Sequence, residues 1–196
     1  MNKLFLYIFT AFIAFSISSC DLFETRDAET PNQARSTYEQ PVEPETVLNN
    51  LVNSLSDLNV SNYSACFVDS SYSGKTFTFI PSAGASLQYP ELISGWSINS
   101  EEQYFNNLVT RIPEDAQITL TLSNDNYNLL GDSAIYTATY TLNVPQNESS
   151  IPTNYTGEMR FSLIRDSRSL WSIYYWQDIK KDDNSSWSEL KGRLYY

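Results

Sequence analysis

An α+β domain, with helices first and an antiparallel sheet after them, is what this sequence predicts. Two observations carry the prediction. Apolar residues recur at helical spacing behind Pro44 and again ahead of Pro113, while from Ile118 onward they alternate with threonine, serine and charged residues as half-buried strands do. The switch in period, from 3.6 to 2, falls once along the chain.

The first helix is marked by Val47, Leu48, Leu51, Val52, Leu55 and Leu58 behind Pro44, whose fixed φ suits a first turn. A second, shorter helix is expected from Asn62 to Asp69, with Tyr63, Cys66 and Phe67 to one side. Lys75 to Ile80 alternates, setting Phe77 and Phe79 on one face until Pro81 ends the run. Asn99 stands three residues before Glu102 in the manner of a cap, and Phe105, Leu108, Val109 and Ile112 make a third amphipathic helix.

Four strands follow. Ile118, Leu120 and Leu122 alternate with Thr119 and Thr121; Tyr136, Ala138, Tyr140, Leu142 and Val144 alternate with threonines at 137, 139 and 141. Met159, Phe161 and Leu163 come next, then a turn at Asp166-Ser167-Arg168-Ser169, then Trp171, Ile173 and Tyr175 alternating with Ser172, Tyr174 and Trp176. Trp187-Ser188-Glu189-Leu190-Lys191 forms a terminal helix that closes one end of the sheet with Trp187 and Leu190.

Composition removes several chemistries. There is no histidine, so Ser-His-Asp and Cys-His nucleophile systems and histidine-bearing zinc sites are out. Lys181-Asp182-Asp183-Asn184 lacks the spacing, central glycine and final glutamate of a calcium loop, and reads as a solvated turn. With 6 glycines and no glycine-rich phosphate loop, no metal or cofactor is called for. A net charge of −11 argues against nucleic acid as a partner.

The chain opens on Lys3 and an apolar run from Leu4 to Ile17, within the roughly 7–15 residues of a signal-peptide core and short of the about twenty a membrane span needs. Ile17-Ser18-Ser19-Cys20 at its end resembles the lipobox of bacterial lipoproteins. That resemblance implies removal of residues 1–19, acylation of Cys20 and attachment to a bilayer through its acyl chains, two or more of which anchor stably. The expected location is the bacterial cell envelope. Asp21 resembles an inner-membrane retention signal of enterobacteria, but other bacteria read the position differently, and the outer membrane is favoured. Residues 20–43, polar and carrying Pro31 and Pro41, read as a tether, and 44–196 as one domain. If Cys20 is acylated, Cys66 has no partner for a disulfide; its apolar neighbours make it a small buried hydrophobe in preference to a reactive thiol.

Phe77-Thr78-Phe79 followed by Trp96, the Glu101-Glu102 and Phe105 helix, and the run Trp171 to Asp178 followed by Trp187 to Lys191 resemble a group of bacterial lipoproteins of the NTF2-like superfamily. The superfamily includes SnoaL-like cyclases, ketosteroid isomerase and scytalone dehydratase. The resemblance implies a cone: a strongly curved antiparallel sheet wrapped around about three N-terminal helices, with a mouth that opens on an aromatic pocket. Tyr63, Phe67, Phe79, Trp96, Tyr140 and Trp176 are candidates for its wall, or for plain core. Asp178 shares a strand face with Trp176, and Arg160 lies on the neighbouring strand. Meeting inside the cone, Arg160 and Asp178 would pair and orient a small polar or aromatic ligand; meeting on the rim, they would be a structural pair worth about 0–1 kcal/mol.

Two functions are consistent with this. One is a tethered module that binds a ligand, an envelope protein or a second copy of itself through the cone or the threonine-rich sheet face. The other is histidine-free acid/base catalysis of the isomerase, dehydratase or cyclase kind, which superfamily members perform with aspartate and tyrosine and for which Asp69, Asp178 and the tyrosines are the residue types present. Fold alone does not choose between them.

Overall fold

The computed structural model of the protein describes residues 37–148 and 150–195; the leader, Cys20 and the tether up to residue 36 lie outside the described residues. The packed chain begins ahead of Pro44. The Glu39 backbone exchanges two hydrogen bonds with the Asn50 side chain, at 2.9 and 2.6 Å, and the Pro41 carbonyl accepts from Trp171 N at 2.8 Å.

Helix α1 (Pro44–Ser56) follows the predicted periodicity and buries Val47, Leu48, Leu51 and Leu55. The second helix is shorter than the sequence suggested. Helix α2 (Val60–Ser64) starts at Asn59, whose side chain accepts from Asn62 N, and stops before Phe67, which bridges to Ile173. Cys66 is buried as expected, its thiol donating to the Asn62 carbonyl at 3.3 Å, and burial pushes its pKa up. After a single turn, α3 (Ser70–Ser73), strand β1 covers only Thr78–Ile80. Helix α4 (Ala83–Gln88) and a 3₁₀ turn at Pro90–Leu92 lead to α5 (Ile98–Val109). The cap of α5 is Ser97 and not Asn99: Ser97 and Ser100 exchange side-chain-to-backbone hydrogen bonds, a reciprocal box that serine can build as well as glutamate. Among the described residues, therefore, five helices precede the long strands where about three were expected.

Strands β2 (Thr119–Leu130), β3 (Ser133–Asn143), β4 (Asn154–Arg165) and β5 (Trp171–Lys180) make an antiparallel meander, and helix α6 (Trp187–Leu194) ends the described chain. The sheet order is β1-β5-β4-β3-β2, curved and unclosed. Strand β1 departs from the all-antiparallel expectation by pairing parallel to β5, Phe79 beside Trp176. Helices occupy one face of this sheet, which makes the domain α+β.

The inner face of the sheet is built from alternate residues: Tyr136, Ala138, Tyr140 and Leu142 on β3, and Met159, Phe161 and Leu163 on β4. Strand β5 breaks the alternation. A register shift between Ser162 and Leu163 leaves Tyr174 as an extra residue, so Ile173 and Trp176, three apart, both turn inward and both are fully buried. Strict alternation would have set them on opposite faces. A second shift, between Ser123 and Asn126, divides β2 into the predicted strand and a polar, asparagine-rich extension the alternation did not mark.

Candidate functional site

Helix α5 delivers Glu101 into the interior from its first turn, where the exposed N–H ends of a helix favour a carboxylate. The Glu101 side chain is wholly buried and accepts from three neighbours. Tyr63 Oη, from α2, donates to Oε1 at 2.5 Å; Trp96 Nε1 donates to Oε2 at 2.7 Å; Lys191 Nζ, from α6, donates to both oxygens at 2.5 and 2.6 Å. The ammonium also lies 3.4 Å from the centroid of the Trp176 ring and 4.0 Å from that of Phe79. A cation held by a carboxylate on one side and by aromatic faces on the others is an aromatic cage, here filled by the protein's own lysine.

Toward the start of α6 stands the second buried carboxylate. Tyr140 Oη donates to Asp178 Oδ1 at 2.7 Å; Ser188 N donates to Oδ2 at 2.7 Å, and Ser188 Oγ donates to the same oxygen. Tyr140 Oη in turn accepts from Trp187 N at 2.7 Å, and Trp187 Nε1 donates to Tyr104 Oη at 3.0 Å. Asp178 thus satisfies one orphan N–H at a helix start, that of Ser188, while Tyr140 takes that of Trp187, and together they hold the start of α6. Ser186 caps the same helix through Glu189 N, while Ser82 N donates to Ser188 Oγ at 3.0 Å.

Burial shifts several of these groups. It raises the Asp178 carboxyl, against the lowering pull of its hydrogen bonds from Ser188 and Tyr140. The Tyr63 and Tyr140 phenols go well up through burial first and the neighbouring carboxylates second. Lys191 falls from the ordinary 10.5 to about 8, because burial penalises the ammonium more than Glu101 restores it.

Six of the residues singled out in the sequence come together inside the cone, with Tyr63 and Phe79 against Glu101 and Lys191. Trp96 donates to Glu101, Trp176 floors the cage, and Tyr140 and Asp178 share the α6 anchor. Arg160 does not join them. It pairs in register with Gln177 on the exposed outer face, whereas Asp178 lies opposite Met159 on the inner one, so neither the inside nor the rim meeting of Arg160 with Asp178 occurs. One residue of register decides the face. Asp69 is likewise outside, accepting from Ser71 N at 2.9 Å as the cap of α3.

The central charges, Glu101 and Lys191, were not identified as site residues from sequence. A signal existed. Glu101 stands at i−4 and i−7 from Phe105 and Leu108, and Lys191 falls between Trp187, Leu190 and Leu194 on an otherwise apolar stripe. A charge on the buried stripe of a helix needs a partner, and each of these supplies the other's.

The cone mouth expected from the resemblance is closed. Tyr63, Glu101, Tyr140, Trp176, Trp187 and Lys191 have zero exposure and Asp178 has 2%. A cleft of about 460 Å³ does open on the surface, lined among others by Tyr38, Phe67, Asp69, Arg168 and Trp171, and it belongs to the α2–α3 and β4–β5 turns, not to the cage.

No family model matches the sequence, and no curated protein does. Solved structures match its shape. A candidate aromatic ring hydroxylase from Novosphingobium aromaticivorans aligns with a TM-score of 0.55 at 11% identity over 75% of this chain and 92% of its own. A candidate scytalone dehydratase from the same species gives 0.54 at 8% over 72% and 88%, and a candidate dehydratase of the NTF2-like family from Streptomyces avermitilis gives 0.52 at 10% over 70% and 93%. At these identities the likeness concerns the fold alone. With helices packed against the buried face of a curved, unclosed five-stranded sheet and an aromatic interior, this chain has the NTF2-like fold.

Proposed function

We propose that this protein is a lipid-anchored module of the bacterial cell envelope that binds a ligand or partner, and not a catalyst of the dehydratase kind. The observation that supports this most is that both carboxylates in the cone are already committed. Glu101 is neutralised by Lys191, and Asp178 is spent on Tyr140 and the start of α6. A general base must reach the proton it removes within hydrogen-bond distance or through one water, and neither carboxylate has a surface to offer. The acid/base alternative keeps one supporting fact, the 2.7 Å contact of the Tyr140 phenol with Asp178, and requires Ser188, at the start of α6, to release that carboxylate before any substrate could use it.

Carbodiimide coupling of the native protein to a small amine, read by peptide mass spectrometry, separates the two. Exposed carboxylates such as Glu158 should label while Glu101 and Asp178 stay unmodified. Labelling of either at the rate of the exposed groups would return the catalytic reading.

The anchor is tested separately. In the bacterial host the mature protein should partition with membranes and begin at an acylated Cys20, and Cys20→Ser should release it or leave the leader attached. A wild-type product that is soluble and carries an unmodified Cys20 would remove the anchor from the proposal.

A further inference from the structure

The cage around Lys191 has the chemistry of a ligand site. Glu101 supplies one negative charge, oriented by two neutral donors, Tyr63 Oη and Trp96 Nε1, that remain if the lysine leaves. The Trp176 and Phe79 faces bracket the cation at 3.4 and 4.0 Å, and the Tyr104 and Trp96 rings stand within 5.5 and 5.8 Å. A salt bridge that served packing alone would need only the carboxylate; buried ion pairs hardly repay their desolvation. Carboxylate plus aromatic walls is how proteins recognise organic ammonium ions.

A second observation lies on the same ring. Trp176 is fully buried, and its indole N–H has no hydrogen-bond partner. Buried donors are nearly always paired, so this one marks a polar contact that the lysine, which has no acceptor, does not make.

The cation arrives on the last helix of the described chain. Helix α6 lies at the C-terminal end of the described chain, is tied down at its start by Asp178 and at its end by Asn107 Nδ2 donating to the Leu194 carbonyl at 2.9 Å, and carries a glycine in its last turn. Gly192 is there because Tyr89 presses against it: a Cβ would come 2.2 Å from Tyr89 Cγ. Glycine inside a helix weakens it.

We propose that the cone interior is a binding site for a small organic ammonium compound, that Lys191 is an intramolecular stand-in for that ligand, and that α6 is the lid which carries it. A free ligand competes with Lys191 for Glu101 and the Trp176 and Phe79 faces. One that also bears an acceptor, as an amino alcohol does, reaches the unpaired Trp176 N–H. This deepens the binding-module reading by naming the ligand class, and it holds whether or not Cys20 is acylated.

Lys191→Ala removes the atoms of n-propylammonium from the cage, which makes that ion the probe. Thermal unfolding of the variant should shift upward with n-propylammonium chloride, by about 5–10 °C at a hundredfold excess over its dissociation constant. Matched sodium chloride and neutral 1-propanol should not produce the shift, and Glu101→Gln in the same background should abolish it. If the variant is unfolded alone, recovery of near-ultraviolet circular dichroism with the ammonium ion and not with propanol is the same result. No response in either form, or an equal response to propanol, overturns the site.

The lid is tested in the unaltered chain. Hydrogen exchange of the α6 amides should accelerate as n-propylammonium is raised, and not with propanol. Rescue of the variant without any opening of α6 in the parent would overturn the lid and leave Lys191 a fixed structural ion. Failure of the membrane-partition experiment touches neither outcome.

Discussion

Lys191→Met should be among the most destabilising substitutions in this protein, with an expected loss of about 3–5 kcal/mol by urea unfolding. Methionine fills much of the volume the lysine stem occupies, so the loss is electrostatic. Glu101 would keep the Tyr63 and Trp96 donors but lose the cation that neutralises it, and its carboxylate has no exposure through which water could substitute. Against a typical total stability of about 5–15 kcal/mol, such a loss leaves the fold marginal. The double variant Glu101→Gln/Lys191→Met should recover most of it, since the amide carbonyl introduced at position 101 can still accept from Tyr63 or Trp96 and no charge of the pair remains buried. A double variant no better than the single one would mean that the lysine stabilises by packing against Trp176 and Phe79 and not by neutralising Glu101.

Gly157→Ala should come close to the same size of effect by a different route. Gly157 pairs in register with Tyr140 on β3 and Lys180 on β5, and a Cβ there would stand 2.7 Å from both Tyr140 Oη and the Ile179 carbonyl. The backbone oxygen cannot retreat without opening the ladder, so the phenol must move. Tyr140 Oη is the bridge between Asp178 and Trp187 N. One methyl group therefore costs the strain of overpacking, about 1–3 kcal/mol, and also takes one of three donors from a buried carboxylate and the acceptor from Trp187 N, at a further cost of about 1–3 kcal/mol. Tyr140→Phe provides the comparison: it removes the bridge without the clash, and should fall between wild type and Gly157→Ala in denaturant midpoint. A Gly157→Ala protein as stable as wild type would mean that Tyr140 yields to the new methyl group and still keeps its bridge between Asp178 and Trp187 N.

The strands were readable because alternation is a local property. Ala138, Tyr140 and Leu142 lie inward and the threonines outward, as their period requires. The helices α1 and α5 were readable for the same reason at the other period. What went unread is where local rules give way to neighbours. Short elements such as α3 and α4 carry too few apolar positions to show a period, and the polar half of β2 is held by pairing with β3 more than by its own preferences. The bulge at Tyr174 changes the phase of β5 at a point where nothing in Trp-Ser-Ile-Tyr-Tyr-Trp announces it. Arg160 illustrates the cost. Adjacent strands bring it within one residue of the line of Asp178, yet pleating sends the two to opposite faces.

By itself, the sequence determined the α+β class, the burial of the aromatic face and the exclusion of imidazole chemistry, because composition and periodicity act over a few neighbouring residues. Only the tertiary structure decided that the cone is occupied, since Glu101 and Lys191 are 90 residues apart and their meeting depends on where α6 is carried by the curvature of the sheet. Charges separated so far along a chain find one another through the fold that their neighbours build, and no local pattern encodes that distance.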